Sequence, residues 1–334
     1  MSGIRNTAFL FLISILFAGL WAGCDGSTLD DNGTGGGESE FTVFFTADGL
    51  ADNNITDIAV DYARKGVWCT TLNGISFYSY RDSLFITFGA EYDLPDMEMT
   101  SVAVDYLTAT VWAGTISGAA SYSDSLWRYL ADMDSLASRY VTAVAANGAG
   151  AVVFGTKGGA SRYDYVSGWR TWTGGNGLIG SEVTSVAFGL TGDLWIGTTN
   201  GISVYDGESF RSFDATDLPS AYVQALFRAS DGVIWCGTVN GMAAYDGGSW
   251  TKYGTFDGLP SPSVNDFTED WGKNIWAATD TGVAELYNGK WTKLTLPNDV
   301  GSERVHTVAA DIVNGVLWIG TSEGLVRYKP YSGE

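Results

Sequence analysis

Short apolar runs, rather than long amphipathic segments, follow one another along the chain after residue 40. One kind alternates apolar and polar residues, as in 183–187, and a second carries a tryptophan and a threonine, as in 194–198. A third kind ends in tyrosine (202–205), and a fourth opens with an aromatic residue (250–253). Alternation with period two is typical of strands, and the region shows no helical period of 3.6. The pattern predicts an all-β fold.

The four runs recur together in seven copies, each marked by the sequence Thr-x-x-Gly-x-x-x-Tyr. A tryptophan precedes the threonine by three positions in six copies, with Val153 in the third, and Leu286 replaces the tyrosine in the sixth. Four antiparallel strands in about 40–45 residues are the signature of a propeller blade. Residues 41–334 are therefore predicted to form a seven-bladed β-propeller. The repeat threonines are Thr71, Thr115, Thr156, Thr198, Thr238, Thr279 and Thr321.

The two ends of the repeat region complement each other. The seventh copy has no fourth run after Tyr328, while residues 41–45 form an isolated run before the first copy. The aromatic residues of that run and the following Gly49-Leu50 have the same spacing as 169–178. A strand from one end that completes the sheet at the other removes the open edge. We expect residues 41–45 to join the last blade and close the ring.

The N-terminus has the features of a bacterial lipoprotein signal. An apolar run over 8–23 follows Arg5 and ends in Ala22-Gly23-Cys24, which resembles a lipobox. The sequence predicts a signal peptide over 1–23, lipidation of Cys24, and a tether over 24–40. The tether is rich in Gly, Asp and Glu and is expected to be a coil with a reach of roughly 20–25 Å. An ordinary secretory signal and an uncleaved anchor are the alternatives.

Composition narrows the choice of partners. Asp plus Glu number 38 against 18 Lys plus Arg, for a formal net charge of −20. A surface with this much negative charge repels nucleic acid and anionic lipid. We therefore expect no nucleic-acid partner, and membrane contact only through the lipid anchor. The predicted location is the cell envelope, facing the periplasm or the exterior, and the predicted state is a monomer.

Candidate catalytic groups are few. His306 is the single histidine, within the first run of the last repeat, and is expected to be structural or to face the channel. A His-based metal site or a Ser-His relay would need further partners. Cys69 and Cys236 occupy equivalent positions in blades one and five, too far apart for a disulfide, and are predicted to be buried free thiols. We predict no catalytic residues, no metal site and no cofactor.

Acidic and aromatic residues cluster in the predicted loops that lead from the fourth strand of one blade to the first strand of the next. All such loops share one face of a propeller, so we expect these side chains to lie on a common rim. That rim could be a glycan surface, a cation site (for example for Ca²⁺), a carboxylate-pair active site, or simply a solvated edge. The candidate ligand-binding residues are Tyr92, Asp93, Asp96, Glu98, Tyr222, Asp299, Glu303 and Arg304.

Two segments resemble a known repeat. Residues 217–241, with Asp217-Leu218-Pro219-Ser220 and Trp235-Cys236-Gly237-Thr238, resemble the two-component regulator propeller, and so do residues 258–282. The resemblance implies the propeller fold and, from sensor members of that family, recognition of glycans outside the cytoplasm. Those sensors usually carry two propellers, a β-sandwich and a kinase, so only the recognition function is expected to carry over.

The residues and the resemblance together predict a membrane-tethered extracytoplasmic propeller that binds or senses. It would recognise a glycan or a protein partner through its loop face without catalysis. The alternative is a secreted carbohydrate-active enzyme, a lyase or glycosidase that uses rim carboxylates. Two carboxylates, or a tyrosine and an acid, converging in a deep central pocket would favour the enzyme.

Overall fold

Seven four-stranded antiparallel sheets make up the fold in the computed structural model, which describes residues 40–130 and 133–330. The predicted signal peptide, Cys24, nearly all of the predicted tether and Asp132 lie outside the described residues, as does the side chain of Asp299. Each sheet is one blade; in blades 1–6 the strands follow sequence order from the channel outward, and in blade 7 the N-terminal strand is the outermost. The predicted seven-bladed propeller is confirmed.

The blades have closely similar strand lengths. Blade 1 contains β2 (Ile55–Asp61), β3 (Gly66–Thr71), β4 (Gly74–Ser79) and β5 (Leu84–Phe88); blade 2 contains β6 (Met99–Asp105), β7 (Thr110–Thr115), β8 (Gly118–Ser123) and β9 (Leu126–Tyr129). Blade 3 contains β10 (Val141–Ala146), β11 (Ala151–Thr156), β12 (Gly159–Asp164) and β13 (Gly168–Trp172); blade 4 contains β14 (Val183–Phe188), β15 (Leu194–Thr198), β16 (Gly201–Tyr205) and β17 (Phe210–Phe213). Blade 5 contains β18 (Val223–Arg228), β19 (Ile234–Thr238), β20 (Gly241–Tyr245) and β21 (Trp250–Tyr253); blade 6 contains β22 (Val264–Glu269), β23 (Ile275–Thr279), β24 (Gly282–Tyr287) and β25 (Lys290–Leu294). Blade 7 contains β26 (Val305–Asp311), β27 (Val316–Thr321), β28 (Leu325–Lys329) and β1 (Glu40–Phe44).

The N-terminal strand closes the ring as expected. Strand β1 pairs antiparallel with β28, so that Glu40 lies opposite Lys329 and Phe44 opposite Leu325. The observed strand covers 40–44 instead of 41–45, a shift of one residue. The Phe41 ring stacks on Tyr328 with centroids 4.7 Å apart. Closure therefore combines backbone pairing with aromatic packing.

The repeat threonine has a specific structural task. In blade 1 the Thr71 hydroxyl donates to the Gly74 carbonyl at 2.8 Å and accepts from the Asn73 amide at 3.1 Å. The hydroxyl to glycine carbonyl bond recurs in all seven blades. Gly74 has φ +115°, a conformation that disfavours side chains. Thr-x-x-Gly is thus the sequence of a tight hairpin.

The tryptophan and tyrosine rows pack between neighbouring blades, as predicted. Trp68 of blade 1 lies 5.1 Å from Tyr122 of blade 2, and Trp318 of blade 7 lies 5.4 Å from Tyr78 of blade 1. Aromatic pairs at such distances contribute beyond their buried area. Cys69 and Cys236 are buried free thiols, which confirms that prediction.

The alternating strands give the propeller two distinct faces. The upper face carries the loops from each fourth strand to the next blade and the hairpins between second and third strands. The lower face carries the hairpins between first and second strands and those between third and fourth strands. All predicted rim residues belong to loops of the upper face, whereas Glu40, where β1 begins, lies at the lower face.

Candidate functional site at the mouth of the central channel

A β-bulge near the start of each first strand directs one side chain into the central channel. In blade 1 the pairing with β3 jumps from Ile55 to Asp57 and leaves Thr56 unpaired. The same jump occurs in every blade, and a bulge re-aims the extra side chain. The seven unpaired residues line one cavity of about 440 Å³ and are here called the bulge ring: Thr56, Thr100, Thr142, Thr184, Gln224, Asn265 and His306.

Members of the bulge ring connect each blade to the next. The Thr142 hydroxyl donates to the Val183 carbonyl at 2.7 Å, and Thr184 bonds the next blade in the same way. Equivalent bonds to the following first strand are made by Thr56, Asn265 and His306. Thr100 is an exception, because its buried hydroxyl has no hydrogen-bond partner among the described residues. The ring therefore has a structural role on which any binding role is superimposed.

One position further along the strand, a second set of polar side chains accepts amide protons from the neighbouring blade. Ser101 accepts from the Val144 amide and Ser185 from the Leu226 amide. Asp57 and Asp266 take the same position in blades 1 and 6, where they accept from the amides of Val102 and Val308. The two aspartates thus perform a task that serine performs elsewhere.

These two aspartates share a neighbour in blade 7. The Thr307 hydroxyl lies 2.8 Å from Asp266 and 3.4 Å from Asp57. Desolvation in the channel raises the pKa of both carboxyls, and the charge of Asp57 helps to raise that of Asp266 to about 7. The Asp266 carboxyl consequently titrates near neutral pH.

The bulge ring is chemically uneven. Blades 1–4 contribute threonine, whereas blades 5–7 contribute Gln224, Asn265 and His306. The Gln224 amide donates to the Asn265 side-chain oxygen at 3.0 Å. Asn265 in turn donates to the Asp280 carboxylate, also at 3.0 Å. The longer side chains therefore join into a network instead of stopping at the next strand.

The network reaches the upper face through an ion pair. Arg304 lies 3.2 Å from Asp280, with most of the arginine side chain exposed to solvent. His306 directs Nδ1 to the Ile55 carbonyl at 2.9 Å, and burial lowers its pKa. Because a carbonyl only accepts, Nδ1 carries the proton and the neutral ring presents Nε2 as an acceptor. The channel mouth at blades 5–7 thus combines amides, a guanidinium, a carboxylate and an imidazole acceptor.

The predicted acidic residues of the first upper loop do not form one cluster. Asp93 accepts from the Tyr129 amide, and Asp96 accepts from the Ser117 hydroxyl at 2.7 Å. Hydrogen bonds from Ser117 and the Glu98 amide lower the pKa of Asp96. Tyr92 is partly exposed and packs edge-on against Phe88. These carboxylates hold the loop together.

The other predicted residues divide between two places. Glu303 pairs with Lys293 at 3.2 Å beside its own loop, whereas Arg304 belongs to the network at the channel mouth. Tyr222 is partly exposed and lies two residues before Gln224. No hydrogen bond or ion pair among residues 40–130 and 133–330 connects the three predicted loops. The predicted residues thus lie in loops of a common rim, as expected, while each loop forms its own polar contacts, and their role in ligand binding stays a prediction.

Sequence reasoning missed the central part of the site, namely Gln224, Asn265 and Asp280, together with the channel aspartates. A signal was present, since each bulge residue is polar or histidine and precedes its repeat threonine by 14 or 15 positions. Within the part of the chain that the structure describes, no three His, Cys, Asp or Glu side chains are placed to hold a metal. The same part contains no helix with the length and apolarity needed to cross a bilayer.

The sequence comparisons agree with the predicted family. Residues 217–240 match the family described as two component regulator propeller. The resemblance stated from the sequence is thereby confirmed. No curated protein matches the chain.

Solved structures share the fold at low sequence identity. The extracellular domain of BT3049 from B. thetaiotaomicron, assigned as a hybrid two component system, is 21% identical with a TM-score of 0.74 over 87% of this chain. This chain spans 41% of that structure's length. Virginiamycin B lyase from Staphylococcus aureus is 14% identical, with a TM-score of 0.69 over 88% of this chain and all of its own. PorZ of Porphyromonas gingivalis is 16% identical, with a TM-score of 0.68 over 84% of this chain and 47% of its own.

Proposed function

We propose that this chain, which carries two-component regulator propeller repeats, is an extracytoplasmic binding or sensing protein that is anchored by a lipid on Cys24. It recognises a glycan or a protein partner at the upper mouth of its channel, at blades 5–7, without catalysis. The observation that carries the proposal is the uneven bulge ring, where Gln224, Asn265 and Asp280 extend a structural ring into a surface network. The family resemblance and the lipobox-like sequence support the location.

The chemistry of the mouth suits a ligand with many hydroxyl or carbonyl groups. Amide, carboxylate and guanidinium groups offer paired donors and acceptors, and Tyr222 adds an aromatic surface beside Gln224. Arg304 is the most accessible member of the network, so we expect it to contact the ligand directly. Among the described residues, Asp280 is the one ion-pair partner of Arg304.

The enzymatic alternative has less support at the predicted rim. Asp93 and Asp96 are committed to hydrogen bonds within and beside their loop, and Glu303 is paired with Lys293. Asp57 and Asp266 do approach each other in the channel, yet both accept backbone amides that serines accept in other blades. Their positions are accounted for by blade-to-blade hydrogen bonding.

A glycan array probed with the full chain tests the proposal, followed by titration of the retained glycan against two variants. Arg304→Ala should weaken binding about tenfold or more, because a hydrogen bond to a charged group contributes about 1.5–3 kcal/mol. Lys293→Ala is the matched control, since it also removes a paired, solvent-accessible cation of the upper face and should bind normally. Equal affinities for the two variants would place the ligand elsewhere, and product formation from a bound glycan would favour the enzyme.

A further inference from the structure

Large apolar side chains are exposed mainly on the lower face, on the side opposite the proposed ligand site. They lie at the hairpins of blades 6, 7, 1, 2 and 3, and are here called the apolar arc: Trp271, Tyr287, Ile312, Val313, Leu84, Tyr106, Leu107, Leu126, Tyr165 and Val166. Extended exposed apolar patches on a soluble domain mark contact surfaces. The other hairpins of this face, in blades 4 and 5, expose Leu190 alone among large apolar residues.

The arc continues from one blade to the next. The rings of Tyr62 and Tyr106 stack with centroids 5.8 Å apart, which joins blades 1 and 2. The Tyr106 hydroxyl donates to the Val60 carbonyl, so its polar end is satisfied while much of the ring remains exposed. Tyrosine and tryptophan of this kind are favoured where an apolar region meets water, as at the surface of a bilayer.

Charge on the lower face follows the same division. Exposed cations lie beside the apolar arc, in blades 1, 6 and 7: Lys65, Arg81, Lys273, Lys290 and Lys329. Glu40, Asp82 and Asp124 are the exposed anions near the arc, and Asp82 accepts a hydrogen bond from the Ser79 hydroxyl. Blades 4 and 5 expose anions instead: Asp206, Glu208, Asp231 and Asp246. Among the lower-face hairpins, the exposed cations thus lie in the blades that also carry exposed apolar side chains.

The chain also enters the propeller in the middle of the arc. Glu40 pairs with Lys329 at the lower end of blade 7, between the apolar residues of blades 6 and 1. Residues 25–39 separate this point from Cys24. A lipid anchor on Cys24 would therefore join the propeller at the edge of the lower face.

We infer that the apolar arc and its cations form a membrane-contact surface for a bilayer containing anionic phospholipid. Apolar side chains would insert at the headgroup boundary, and the five cations would neutralise phosphates. The inference rests on the lipid anchor of the proposed function. It differs from the expectation that the membrane is contacted through the lipid alone, and it orients the ligand site away from the bilayer.

Accessibility of an introduced thiol tests the orientation. The full chain, as processed by the expressing bacterium, is bound to vesicles of phosphatidylethanolamine and phosphatidylglycerol and treated with a membrane-impermeant maleimide. Val313→Cys probes the arc, and Val239→Cys is the control on the upper face. Cys69 and Cys236 are buried and do not compete. Val313 is 73% exposed and Val239 42%, so without a membrane Val313→Cys should react at least as fast.

On vesicles we expect Val313→Cys to react about tenfold more slowly than Val239→Cys, because the headgroup region shields it. Vesicle-bound protein in which Val313→Cys reacts as fast as the control would overturn the contact surface while leaving the lipid anchor intact. Protein that stays in solution, with an unmodified Cys24 by mass, would overturn both the anchor and this inference. Loss of protection on purely neutral phosphatidylcholine vesicles would support the role of the cations.

Discussion

Blades 1–4 and blades 5–7 use the same backbone device and put different chemistry on it. In both halves the bulge exposes one side chain to the channel and leaves it within reach of the next blade. The Thr184 hydroxyl donates one hydrogen bond to the next blade, to the Val223 carbonyl. Asn265 makes the equivalent bond to Val305 and, in addition, engages Asp280 and Gln224. A longer side chain with both donor and acceptor groups can hold the ring and also connect it to polar side chains at the channel mouth.

The two sets of blades differ in the polar residues of the bulge ring, which we connect with recognition, and not in the aromatic packing that stabilises the fold. Aromatic packing between blades occurs within both halves: the ring centroids of Trp68 and Tyr122 lie 5.1 Å apart across blades 1 and 2, and those of Trp276 and Tyr328 lie 6.2 Å apart across blades 6 and 7. Only the channel mouth differs. The comparison therefore predicts that packing variants behave alike in both halves, whereas variants of the bulge ring do not.

The largest effect is expected from matched aromatic residues of two fourth strands. Phe44 in blade 7 contacts Tyr78, Phe85 and Trp318, and Phe213 in blade 4 sits among Trp195, Tyr245 and Trp250. Phe44→Ala and Phe213→Ala should each lower the free energy of unfolding by about 3 kcal/mol, because both leave a cavity. Chemical denaturation measures this. A negligible effect of Phe44→Ala alone would mean that β1 does not close the ring.

The next effect distinguishes the two kinds of bulge residue. Asn265→Ala removes bonds to Val305, Asp280 and Gln224 and should cost about 2–3 kcal/mol of unfolding free energy. Thr184→Val removes one bond and should cost about 1 kcal/mol. Denaturation of both variants side by side checks the difference. Similar losses would show that the network adds nothing to the ring.

Asp266 should make the stability depend on pH. Its pKa is raised from 3.8 to about 7 in the folded protein, so folding favours the protonated form. The contribution of this group is therefore greatest below pH 4 and declines as the pH rises towards 7. Asp266→Asn cannot ionise, so its melting temperature relative to the unmodified protein should improve between pH 5 and pH 8.

Asp214→Asn is the control for that experiment. Hydrogen bonds from Thr216 lower the pKa of Asp214, so its contribution is lost only below the acidic end of this range. The difference in melting temperature between Asp214→Asn and the unmodified protein should stay constant from pH 5 to pH 8. If the difference for Asp266→Asn is equally constant, Asp266 is ionised throughout this pH range.

The smallest effect is expected within the threonine half itself. The Thr100 hydroxyl is buried without a partner among the described residues, whereas Thr142 donates to Val183. Thr100→Val should leave stability unchanged or raise it slightly, and Thr142→Val should lower it by about 1 kcal/mol. Thermal unfolding of the pair measures this. A clear loss for Thr100→Val would reveal a hydrogen bond that the hydroxyl makes in solution.

Prediction of the fold succeeded because the information is local and repeated. Thr-x-x-Gly specifies a hairpin from adjacent residues, and the tryptophan row has a fixed register. The hydrogen-bond partners of the candidate site residues could not be predicted, because each polar group has several partners within reach. Asp96 accepts a hydrogen bond from Ser117, and Glu303 forms an ion pair with Lys293. Nothing in the spacing of these residues along the chain indicates those partners. Asn265 was missed because a polar residue in a first strand looks like ordinary alternation.

The sequence by itself determined the number of blades, the strands within them, the residues that close the ring and the burial of both thiols. These follow from periodicity and from the need of each apolar face to be covered. Only the tertiary structure decided which polar side chains meet. The bulges turn Gln224, Asn265 and His306 towards a common channel, and distant loops bring Asp280 and Arg304 to the same mouth. Contacts between side chains of different blades depend on the angle between those blades, and the sequence of a single repeat does not specify that angle.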